Sequence, residues 1–188
     1  MYALKSLFSV SVLLACFWAV PVFASDIAAG EQKAAACMGC HGPKGKSGNA
    51  QWPNLAAQQS TYIVNQLNAF KTGTRKNPMM QSFAANLNAD DINNLADYYS
   101  SQPPVSAGGD PNSAKSGQTK ATMCLGCHGS SAEGNGQIPR LAGQHPPYLV
   151  KQLSSFKEGV RKSGPMQAIA SGLSEEDMKA LAAYFGSL

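Results

Sequence analysis

Apolar positions recur at helical spacing in two blocks of this 188-residue chain, and the second block repeats the first. Tyr62, Gln66, Leu67 and Phe70 predict a helix over residues 61–71. Tyr148, Gln152, Leu153 and Phe156 repeat the pattern 86 positions later, in a helix beginning at Pro147 or Tyr148. Leu95 and Tyr98 predict a later helix facing inward, opened by the capping box Asn88-x-x-Asp91. Leu181 and Tyr184 follow Ser174-x-x-Asp177 in the same way. Upstream, Asp26 caps an Ala-rich helix expected to reach Cys37, and its counterpart is expected from about Asn112 to Cys124. Each copy reads as three helices joined by loops, so the fold class is all-α.

The repeat extends beyond the apolar stripes. Pro53, Leu55, Ala56 and Gln58 match Pro139, Leu141, Ala142 and Gln144. Gly73, Arg75, Lys76 and Met80 match Gly159, Arg161, Lys162 and Met166. Only two copies exist, which makes a tandem pair and no solenoid. Residues 101–111 between them are rich in proline and glycine and lack an apolar period, so they form the linker. The expected units are 25–100 and 112–188.

Residues 1–24 are a separate matter. Lys5 is the only charge before Asp26, an apolar run covers residues 7–23, and Val22-Phe23-Ala24 suits cleavage after Ala24. This is the pattern of a secretory signal peptide. An uncleaved anchor and a lipoprotein site at Leu13-Leu14-Ala15-Cys16 are its competitors. Export removes Cys16 and leaves four cysteines in an oxidising compartment.

Those four occupy Cys37-Met38-Gly39-Cys40-His41 and Cys124-Leu125-Gly126-Cys127-His128. C-x-x-C-H is the spacing for covalent attachment of c-type haem. Two thiols add to two vinyl groups of one porphyrin, and the adjacent imidazole lies under the iron. Closed zinc sites need four N/S ligands each, and only His145 remains. A thiol oxidoreductase would place C-x-x-C in a βαβ pattern, which is missing here. Two covalently bound c-type haems are therefore expected, each acting as a large apolar core element for a short domain. A Gly-rich loop follows each histidine (Gly42, Gly45, Gly48; Gly129, Gly134, Gly136). The formal net charge of +4 falls to +1 and +2 for the two halves once Lys5 is set aside, with no basic run, so no nucleic-acid partner is expected.

The second axial ligand decides the chemistry. Met80 and Met166 occupy equivalent places, each on a loop beside a proline, Pro78 or Pro165. Met79 is a rival for the first site. Met38, Met123 and Met178 are expected to pack, and His145 to make loop or cap contacts. A thioether on each iron makes an electron carrier and no enzyme.

The chain resembles the dihaem cytochrome c4 family, a tandem of class I cytochrome c domains. The likeness rests on the paired C-x-x-C-H units, Trp52-Pro53-Asn54-Leu55-Ala56, Ile138-Pro139-Arg140-Leu141-Ala142, Asn77-Pro78-Met79-Met80 and Gly164-Pro165-Met166. It implies two cytochrome c-type domains wrapped around haem, facing each other across an interface. It also implies that the carbonyls of Pro53 and Pro139 orient His41 and His128 from behind. The implied role is periplasmic, membrane-associated electron transfer toward a terminal oxidase. The alternatives are a cytochrome subunit taking electrons from a flavoprotein dehydrogenase, and a dihaem peroxidase with one exchangeable site.

Overall fold

The computed structural model describes residues 26–188. The leader expected over residues 1–24 lies outside them. Among the described residues there are ten α-helices in two sets of five, and the one β feature is an isolated antiparallel bridge, Asn135 to Ile138. The first half holds α1 (Ile27–Ala34), α2 (Met38–His41), α3 (Ser60–Lys71), α4 (Pro78–Ala85) and α5 (Ala89–Ser100). The second holds α6 (Pro111–Lys120), α7 (Thr122–His128), α8 (Pro146–Lys157), α9 (Gly164–Ser171) and α10 (Glu175–Ser187).

In each half the first helix packs on the last, α1 on α5 and α6 on α10. The middle helix α3 or α8 also packs on that last helix and carries α4 or α9. The first-to-last packing is close enough for backbone contact. A Cβ on Gly30 would stand 2.2 Å from the Asn94 carbonyl oxygen, and one on Gly117 2.0 Å from that of Ala180. Glycine is costly inside a helix, so its presence at both equivalent positions answers a packing need. Leu95 and Leu181, each 2 % exposed, fill the equivalent centres of the two cores.

Both capping boxes form. Asn88 and Asp91 bond each other's backbone N–H at the start of α5, and Ser174 and Asp177 do so at the start of α10. Asp91 and Asp177 also reach back to the first helix of their half, at 2.8 Å from Lys33 Nζ and 2.5 Å from Lys120 Nζ. Lys120, with the Ser174 backbone and hydroxyl, pulls the Asp177 carboxyl down to about 2; Lys33 and the Asn88 backbone lower Asp91. Depressed folded-state values stabilise the fold above the ordinary carboxylate range near pH 4 and lose that contribution as pH falls through the folded value. Melting temperature, followed by circular dichroism, is expected to drop between about pH 4 and pH 2. In Lys120→Ala that drop should be shallower.

Several boundaries differ from the sequence expectation. Each half has five helices, not three. The Ala-rich helix stops at Ala34 and passes through a 3₁₀ turn, Ala35–Cys37, before α2. Its counterpart starts at Pro111 under an Asp110 cap and breaks at Ala121 before α7. These breaks let the motif turn independently of the packed helix. Tyr184 is only half-buried; its neighbour Phe185, at 4 %, occupies the core. Met80 and Met166 are not on loops. Pro78 and Pro165 stand in the first turns of α4 and α9, where a missing N–H costs nothing.

Between α5 and α6 the chain lies against the second half. Ala107 N–H donates to Gly143 O at 3.2 Å and the Ser106 hydroxyl to Gly186 O at 3.1 Å.

Candidate functional site

α2 and α7 present the two motifs. One helical turn separates residues three apart, so Cys37 and Cys40 share a face, as do Cys124 and Cys127. Gly42 (φ 72°) and Gly129 (φ 90°) end the motif helices directly after the histidine. A Cβ on Gly42 would meet the Lys46 carbonyl oxygen at 1.8 Å, so the chain doubles back there as only glycine allows.

His41 and His128 are buried, and each Nδ1 lies against a carbonyl: Pro53 O at 2.9 Å and Pro139 O at 2.8 Å. A carbonyl only accepts, so Nδ1 must carry the proton. In the neutral ring Nε2 is then a bare lone pair, the state a metal needs. Burial lowers both histidine pKa values despite the carbonyl bonds and favours that neutral ring. Burial raises the Cys37 and Cys124 thiols. That is the reverse of the activated thiolate a disulfide oxidoreductase requires. No group of three or more His, Cys, Asp or Glu side chains gathers for a bare metal ion among the described residues.

Both histidines line one continuous cavity of about 1310 Å³. Ordinary small-molecule pockets measure roughly 300–1,000 Å³. Leu67, Phe70 and Leu95 wall it from one half, and Leu153, Phe156 and Leu181 from the other. Met80 and Met166 reach it from α4 and α9. Met79 also borders it but is 53 % exposed, whereas Met80 is half-buried. Of the methionines expected to pack, only Met178 does, taking a bond from the Ser154 hydroxyl on its sulfur at 3.6 Å. Met38 and Met123 are 43 % and 63 % exposed, and Met123 borders the cavity.

The halves meet across a polar seam with pseudo-twofold symmetry. Arg75 donates to Gln66 of its own half (2.7 Å) and to Tyr148 (3.0 Å) and Gln152 (2.8 Å) of the other. Arg161 mirrors it with Gln152 (2.7 Å), Tyr62 (2.7 Å) and Gln66 (2.9 Å). Each guanidinium also lies 4.6 Å over a phenyl ring of its own half, Phe70 or Phe156. His145 stands at the N-cap position of α8 without a side-chain capping bond and instead sets Nε2 3.1 Å from Ser47 O; the equivalent Gln59 donates to Glu133 O at 2.9 Å. Sequence reasoning saw Arg75 and Arg161 only as repeat identities, and Tyr62, Gln66, Tyr148 and Gln152 only as repeated helix positions. Polar side chains kept at one offset on otherwise apolar faces were the available signal.

This chemistry fits haem. Two half-buried guanidinia border the cavity, and no carboxylate pairs with either among the described residues. Haem carboxylates would supply counter-charge to such a pair. The buried Tyr99 hydroxyl has only the Cys37 thiol beside it and no oxygen or nitrogen partner among the described residues. Arg75→Met is expected to cost about 2–3 kcal/mol, because Tyr148 and Gln152 lose a charged donor. Chemical denaturation of the intact protein measures it.

The family model for cytochrome c matches residues 27–102 and again 114–188. Cytochrome c4 of Azotobacter vinelandii is 36% identical over 189 residues, covering 88% of this chain and 90% of that protein. The chain belongs to the cytochrome c4 family. Among solved structures, reduced recombinant cytochrome c4 from Pseudomonas stutzeri matches with a TM-score of 0.81 at 34% identity, covering 88% of this chain and 100% of that one. As a cytochrome c4 the chain carries one covalently attached haem per domain and works as an electron carrier. A further relative, the thiosulfate dehydrogenase electron acceptor of Thiomonas intermedia, is 30% identical over 204 residues, covering 98% of this chain and 91% of that protein.

Proposed function

We propose that this cytochrome c4 carries electrons in the periplasm between respiratory-chain partners and delivers them toward a terminal oxidase. In this reading residues 1–24 direct export and are removed, and residues 25–100 and 112–188 are the two redox units, joined by 101–111. Cys37 and Cys40 hold one haem and Cys124 and Cys127 the other. His41 with Met80, and His128 with Met166, would ligate the two irons. Haem iron supplies the one-electron change. The chain's own part is to fix each imidazole through Pro53 or Pro139, bring a thioether to the same cavity, and wall that cavity with apolar side chains. A sulfur ligand favours reduced iron and raises the potential.

The observation that carries the reading is the pair of Nδ1–carbonyl bonds, which leaves both Nε2 atoms free beside a cavity that Met80 and Met166 also reach. Visible and near-infrared spectroscopy of the mature holoprotein tests it. Two low-spin haems are expected, both with the weak sulfur-to-iron band. Ready carbon monoxide binding by either ferrous centre at neutral pH would overturn it.

A second reading makes the chain the direct acceptor of a dehydrogenase, and possession of a relative so named favours a thiosulfate-oxidising partner over a flavoprotein. Fast reduction by such an enzyme with thiosulfate, and none by flavoproteins, would support it. A peroxidase needs an exchangeable site, and a methionine borders the cavity in each half. Among the described residues no helix is long and apolar enough to cross a membrane.

A further inference from the structure

The carbonyl that holds each histidine belongs to a peptide group whose other end is held from across the seam. Pro53 O and Asn54 N are two atoms of one planar amide. Its oxygen accepts from His41 Nδ1 at 2.9 Å, and its N–H donates to Gln144 Oε1 of the second half at 2.8 Å. Gln144 Nε2 closes the grip on Asn54 O at 2.9 Å. The arrangement is repeated in reverse. Pro139 O accepts from His128 Nδ1 at 2.8 Å, and Arg140 N–H donates to Gln58 Oε1 of the first half at 2.8 Å, with Gln58 Nε2 on Arg140 O at 3.1 Å. Gln58 and Gln144 are 7 % and 6 % exposed, so water does not compete for either amide.

We propose that Gln144 and Gln58 are crossed positioning residues: each sets the donor strength of the proximal histidine in the opposite domain. This rests on His41 and His128 being the axial ligands. An acceptor on an amide N–H drives electron density toward the amide oxygen, because hydrogen bonds in series polarise one another. A more basic oxygen pulls harder on the Nδ1 proton, and the ring becomes a stronger donor at Nε2. Stronger donation favours oxidised iron and lowers the potential. Each domain thus carries part of the other's tuning, and the link exists only while the seam is closed.

A potential is the readout, because a merely structural role would move stability and leave it in place. The two one-electron waves of the holoprotein are resolved by spectroelectrochemistry and assigned by the hyperfine-shifted His41 and His128 signals of ¹⁵N-histidine-labelled protein. Gln144→Leu should raise the His41 wave, with a severalfold change in its one-electron equilibrium, and leave the His128 wave in place. Gln58→Leu should do the converse. Gln144→Glu, nearly isosteric and more strongly accepting, should lower the His41 wave more than the other, and it decides the matter if the leucine variant does not fold. Waves that stay put, move together, or move in the substituted residue's own domain overturn the proposal while the sulfur-to-iron band remains intact. Loss of that band in the unsubstituted protein would instead strike the axial assignment.

Discussion

Met166→Ala is expected to open one of the two irons and leave the other closed. Alanine has no donor atom, and α9 should survive because its first turn is built by Ser163, Gly164 and Pro165 rather than by the thioether. Half of the sulfur-to-iron absorbance should disappear. Ferrous protein should bind one carbon monoxide per chain, and the potential of the second haem should fall because the ligand favouring the reduced state is gone. Met80→Ala should mirror this in the first domain, whereas Met79→Ala should keep the full band. If Met79→Ala loses the band, the first-domain ligand is reassigned to the more exposed neighbour.

Gly117→Ala is expected to unseat the second domain. The added methyl would sit 2.0 Å from Ala180 O and 2.9 Å from Tyr184 Cβ, so α6 must lift away from α10. Overpacking of this kind costs about 1–3 kcal/mol. The upper end applies here, because the obstacle is backbone and cannot rotate aside. α10 carries Leu181 and Phe185 of the core, so the displacement reaches the cavity wall. Denaturant titration monitored separately at each haem should show the second domain melting early and the first near its normal midpoint. Gly126→Ala, where a Cβ meets nothing within 4 Å, is the matched control on the motif helix.

What could be read in the sequence was what is encoded locally or by repetition. The motifs lie within five residues each, the capping boxes within four, and the duplication declares itself at one offset. The N-terminal turn of α4 was misread because Pro78 was taken as part of a loop, although Asn77 caps it by accepting from Met80 N–H at 3.1 Å. The broken first helices were missed for another reason. Ala34, Ala35 and Ala36 favour continuation, and no residue among them marks the 3₁₀ turn at Ala35–Cys37. The seam was least legible. Gln144 meets Asn54 across 90 positions and Arg75 meets Gln152 across 77, and no periodic pattern reports a partner that far away.

The connection between the halves has a mechanical consequence. Gln102 Nε2 is bound to Tyr98 O at 2.8 Å, anchoring one end on α5, while Ser106 and Ala107 are anchored on the far side. What lies between is essentially Pro103-Pro104-Val105, a stiff strut spanning about 10 Å when extended. Were the halves to part, this short strut would still hold each within reach of the other. Reclosure is a local collision whose rate should not depend on how dilute the protein is.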